Sequence, residues 1–78
     1  MSASVDELVE RLRSRRELPR ASERRRIRRA AGASMRDVGA AIGVSHTAVR
    51  KWEAGSMPRA PHRDAYARLL DELKRVAA

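Results

Sequence analysis

Residues 34–58 read SMRDVGAAIGVSHTAVRKWEAGSMP. Two short helical periods can be read in this stretch, joined by a glycine. In the first, Ser34 is a good N-cap, Asp37 falls in the first turn, and Val38, Ala41 and Ile42 share an inward face. Gly43 allows a tight, left-handed turn. Ser45 then caps a second helix in which Val49 and Trp52 are the inward pair, and Gly55 stops it. Two helices joined in this way outline a helix-turn-helix. Gly39 lies midway along the first helix, where the pair would cross closely and only a small residue fits. With Val49 and Trp52 turned inward, His46, Thr47, Arg50 and Lys51 face out. None of the four is acidic, and all are suited to base edges or phosphate.

Upstream lies ERRRIRRAAG, residues 23–32, in which five of the seven residues Glu23–Arg29 are arginine. It reads as a helix from about Ser22 to Ala31 rather than a basic tail. Ile27, Ala30 and Ala31 give it a narrow inward face, Arg24 and Arg28 sit at the edge of that face, and Gly32 ends it. Arg25 and Arg29 are expected in solvent or opposite the acids of an earlier helix. That earlier helix opens with Ser4 and Glu7 as a capping box and carries the stripe Val5, Leu8, Val9, Leu12 until Pro19. Downstream, SMPRAP is a loop whose prolines fix the chain direction. From about Pro61 a last helix shows the stripe Tyr66, Leu69, Leu70, Leu73, Val76. The expected core is Ile27, Val38, Ile42, Val49, Trp52, Tyr66, Leu69 and Leu70. The fold class is therefore all-α, a compact bundle of about five short helices. Residues 1–19 form an extra N-terminal helix for packing or dimerisation, and residues 20–78 the helix-turn-helix domain.

A chain of 78 residues with one Trp, one Tyr and no Phe can bury only a small core. Its net charge of +8 points to a polyanionic partner, nucleic acid before anionic membrane. Sixteen of the eighteen cations are arginine, whose guanidinium forks suit phosphate and guanine. Without cysteine there is neither a disulfide framework nor a thiolate, which fits an intracellular protein. No apolar run approaches a membrane span, and no signal-peptide core opens the chain. His46 and His62 are the only histidines, too few to suggest a metal site. Ser34 and Ser45 lack a base and its orienter, so an enzyme is not expected, nor a cofactor or small-molecule ligand.

Residues 24–70 resemble the Cro/C1-type (XRE) helix-turn-helix family of phage and bacterial repressors. The ordered set Arg28, Gly32, Gly39, Gly43, Ser45, Val49, Glu53, Gly55 and Pro58 carries the likeness. The resemblance implies a regulator of phage or mobile-element type that binds double-stranded DNA in the cytoplasm, at the nucleoid. Its second reading helix would enter the major groove, making His46, Thr47, Arg50 and Lys51 the base-reading residues. Ser34, Arg36, Ser45 and Arg59 would meet phosphate, and Arg28 would pair with Glu53. The chain departs from the family at Met35, where a glutamine is usual, and at Gly39, where alanine is usual. Specificity from one reading helix per chain is modest, so a homodimer through the two terminal stripes is a further expectation. Two alternatives stand beside the repressor. WEAGSMP resembles the turn of excisionases, which continue into a wing rather than a long helix. An antitoxin or anti-regulator would act chiefly on a protein partner.

Overall fold

The computed structural model describes residues 4–9 and 18–78. Its regular structure there is entirely helical: α1 (residues 4–9), α2 (Ala21–Ala30), α3 (Met35–Ile42), α4 (His46–Glu53) and α5 (Ala60–Ala77). The all-α bundle expected from the periodicities is what the chain forms. Leu12, the last residue of the expected N-terminal stripe, lies outside the described residues. Ser4 is already within the helix, so it cannot hold the extended conformation of an N-cap ahead of α1.

Each helix boundary has a local cause. At α3 the Asp37 amide donates to Ser34 Oγ (2.9 Å), and the Ser34 amide donates back to Asp37 Oδ2 (2.8 Å). At α4 the Ala48 amide donates to Ser45 Oγ (3.2 Å). The helices α2 and α4 end alike. After α2, the Gly32 and Ala33 amides return to the carbonyls of Arg29 and Arg28; after α4, the Gly55 and Ser56 amides return to Trp52 and Lys51. Helix α2 starts at Ala21, with Arg20 at its N-cap and no side-chain bond there. Pro61 sits in the first turn of α5, where its missing N–H is no loss.

Between α3 and α4 the chain reverses at Gly43, whose φ of 88° an L side chain would resist. The Gly43 and Val44 amides both donate to the Gly39 carbonyl, each at 2.8 Å. Gly39 packs so tightly on this turn that an added Cβ would lie 2.6 Å from the Val44 carbonyl oxygen. A bare backbone at this point lets the two helices approach.

Ile27, Val38, Val49, Trp52, Tyr66 and Leu70 form one buried cluster, drawn from α2, α3, α4 and α5. The Trp52 and Tyr66 rings lie tilted at 4.8 Å between centroids. Pro58 and Ala67 are also buried, beyond the expected core. Ile42 and Leu69 are only partly buried and pack against the cluster's margin, a correction to their placement in the core. Ala41 and Ala30 are exposed, because a single methyl group gives a helix little reason to turn that way. Val76 is 69 % exposed at the far end of α5.

Helix α2 shows the largest difference from expectation. Its inward face is Arg24, Ile27 and Arg28, not Ile27 with two alanines. Both arginines find acceptors inside, which lets their charged heads follow the aliphatic stems inward.

Candidate nucleic-acid interface

Helix α4 is held from beneath. Val49 and Trp52 are buried against the cluster, and Glu53 is tied to α2. Arg28 Nε donates to Glu53 Oε2 at 2.5 Å and Arg28 Nη2 donates to Glu53 Oε1 at 3.0 Å, a two-pronged pair. The third arm, Nη1, donates to the Ala33 carbonyl (2.9 Å) after α2. The bond to Glu53 raises the Arg28 pKa further above its ordinary value, while burial works against it. The guanidinium therefore stays charged at any working pH and ties α4 to α2 and to the link before α3.

The opposite face of α4 carries His46, Thr47, Arg50 and Lys51, all exposed. Among the described residues none of these four side chains makes a hydrogen bond or ion pair. Two cations near the end of α5 behave differently: Arg75 pairs with Glu72 (2.8 Å) and Lys74 lies 4.0 Å from Asp71. On α2, Arg26 pairs with Glu23. Positive charge thus remains uncommitted along α4, while Arg26, Lys74 and Arg75 are each matched by an acid on their own helix.

The two helix N-termini of the motif differ in charge. No acid stands in the first turn of α4, so its free amides and dipole leave that end positive beside Ser45 and His46. At α3 the Asp37 carboxylate occupies the corresponding place, and its bonds to the Ser34 amide and hydroxyl hold it below the usual aspartate range. An anion at Ser34 would meet that carboxylate. Arg36 and Arg59 are exposed, Arg36 on α3 and Arg59 at the start of α5.

The sequence set Arg24 at the edge of the inward face of α2 and Arg25 in solvent or opposite the acids of the first helix; Arg25 is exposed and Arg24 buried. Arg25 lines an open groove of ≈ 310 Å³ together with Met35, Arg50, Glu53 and Ala54. It therefore stands beside α4 rather than apart from it. Arg24 lies inside and reaches α4 from below, and no local signal marks either position. Among the described residues no helix is long and apolar enough to cross a membrane. Nor do three His, Asp or Glu side chains gather there as a metal site needs.

This arrangement has a small buried face, a glycine-crossed helix pair and an unpaired basic outer surface. The chain matches the Helix-turn-helix family over residues 25–75, and it belongs to that family in its Cro/C1 (XRE) type. It is thereby a DNA-binding regulator whose partner is double-stranded DNA. No curated protein and no solved structure matches it.

Proposed function

We propose that the protein is a repressor that occupies an operator and reads the major groove with α4. His46, Thr47, Arg50 and Lys51 read base edges, Arg50 and Lys51 being suited to guanine O6 and N7. Ser45, Arg36 and Arg59 grip phosphate, with Ser34 a poorer candidate because of Asp37 beside it. The observation that carries this reading is the outer face of α4: four exposed side chains without an acceptor among the described residues, on a helix whose N-terminus is free of acid. On this reading the protein works in the cytoplasm, on nucleoid DNA.

The test is selection of bound sequences from random DNA, followed by single replacements. Arg50→Ala and Lys51→Ala should relax preference at particular bases. Arg29→Ala, on the exposed side of α2, should weaken all sequences alike and lessen the salt dependence. Equal weakening of every sequence by all three would overturn the base-reading assignment.

The reading includes a two-fold homodimer. Val5, Leu8 and Val9 are 59, 50 and 44 % exposed on α1 and present apolar surface, whereas of the α5 stripe only Val76 is open, Tyr66 and Leu70 being core. Paired half-sites spaced by a helical turn in the selected DNA would support it. A strict monomer in sedimentation, with and without DNA, would sink it.

A further inference from the structure

Two arginines of α2, four residues apart, enter the interior side by side: Arg24 is 5 % exposed and Arg28 9 %. Arg28 meets a carboxylate. Arg24 meets main chain. Its Nε donates to the Pro19 carbonyl at 2.6 Å, and its Nη1 donates to the carbonyls of Trp52 (3.0 Å) and Ser56 (3.3 Å). Its Nη2 points at Met57 Sδ (3.5 Å). One side chain therefore touches the entry to α2, the last turn of α4, and the loop that leads through Pro58 to Arg59.

These acceptors are not arbitrary. Helix α4 is only eight residues long, and its last carbonyls have no partner further along the helix. The Gly55 amide takes the Trp52 carbonyl at 3.2 Å, and Arg24 adds a charged donor to the same oxygen. A cation at this end also opposes the negative pole of the helix. One nitrogen, Nη1, engages Trp52 and Ser56 together while Nε holds the Pro19 carbonyl, so the end of α4 and the loop after it are fixed relative to each other as well as to the entry of α2. A lysine, with one nitrogen on a flexible stem, cannot hold the Pro19 carbonyl and the Trp52 and Ser56 carbonyls at once.

We propose that Arg24 is a positioning residue for DNA reading: it sets the tilt of α4 and the placement of the 54–58 loop, and through them where Arg50, Lys51 and Arg59 meet the duplex. The proposal rests on α4 being the reading helix. An apolar side chain would fill the same space without the desolvation cost of a cation. The fold can therefore dispense with the arginine; the direction of α4 cannot.

Arg24→Met in the full chain separates the two roles. Its melting temperature should stay within about 5 °C of the parent. Its affinity for the selected site should fall about tenfold, with a smaller loss on random DNA, so that the ratio between them drops. Hydrogen exchange at amides 54–57 should quicken while that of Val38 and Val49 does not. Arg24→Lys should behave more like the methionine variant than like the parent. A folded Arg24→Met protein with the parent's affinity ratio would overturn the proposal. If that variant does not fold, Arg24→Lys carries the same comparison, and the Arg24 Nε–H of the parent decides by NMR. Slow solvent exchange in the free and DNA-bound protein is expected, and rapid exchange overturns the clamp. Arg50→Ala serves as the control. If it leaves binding to the selected site unchanged, the reading of α4 has failed. If it weakens binding while Arg24→Met does not, only the role of Arg24 has.

Discussion

Gly39 and Val44 meet so closely that a methyl group on the first would stand 2.6 Å from the carbonyl oxygen of the second. Helix propensity alone favours alanine at position 39 by about 1 kcal/mol. The carbonyl is backbone within a turn fixed at Gly43, so the clash is relieved only by shifting α3 against α4. Gly39→Ala is expected to be net destabilising by about 1–2 kcal/mol, as for other small additions to tightly packed sites. Urea unfolding followed by Trp52 fluorescence measures it. A raised midpoint would show that the crossing has slack.

Arg28 and Glu53 should prove inseparable. The Glu53 side chain is 4 % exposed and that of Arg28 11 %, so removal of either leaves a charge with little water. Glu53→Ala is expected to lose about 3 kcal/mol or more. Replacing both with apolar residues of similar volume should cost less than the sum of the single changes. Additive losses in this double-mutant cycle would mean that the two side chains contribute independently.

Tyr66 gives the fold an alkaline limit. Its hydroxyl is buried without a hydrogen-bond partner among the described residues. Burial first, then the charge of Glu53, push its pKa up to about 12. The unfolded chain ionises near pH 10, so between there and about 12 the unfolded state holds fewer protons than the folded one. Stability is therefore complete below that window and declines as pH rises through it. As the only tyrosine, it can be followed by tyrosinate absorbance without assignment. Tyr66→Phe should remove the decline and leave stability at neutral pH unchanged or higher, since an unpaired hydroxyl is lost. A midpoint near 10 in the folded protein would contradict the burial.

The capping box of α3 supplies an acid limit. Asp37 is held below its ordinary range by the Ser34 amide and hydroxyl. Its contribution is complete above that range and fades as pH falls through it and below, the opposite sign to Tyr66. Ser34→Ala should cost about 1 kcal/mol at neutral pH, and Asp37→Asn should flatten the acid limb. Identical acid unfolding of Asp37→Asn and the parent would remove the box from the account.

The motif was legible because its signals are local. Ser34, Gly43, Ser45 and Gly55 each mark a boundary within a few residues of the element they end or begin, and Val49 and Trp52 show the period directly. What escaped notice depends on distant partners. Arg24 is buried because the carbonyls of Trp52 and Ser56, 28 and 32 residues away, are there to receive it. No helical period contains that information. Arg25 comes to share a groove with Arg50 only once α2 packs against α4. Alanines misled in the same way: Ala30 and Ala41 match an inward period, but too little area rides on them to decide which way a helix turns. Residues at the margin, such as Ile42, Leu69 and Val76, follow the right stripe past the point where another helix covers it.

The outer face of α4 has one more consequence. The side chains of His46, Thr47, Arg50 and Lys51 take no part in the hydrogen bonds and core packing that hold the described domain together. Folding constrains what lies beneath α4 and leaves its exterior open to change. Mutation can alter those four side chains one at a time without passing through an unfolded intermediate sequence. A lineage built on this scaffold could therefore acquire new vocabularies while keeping a single grammar.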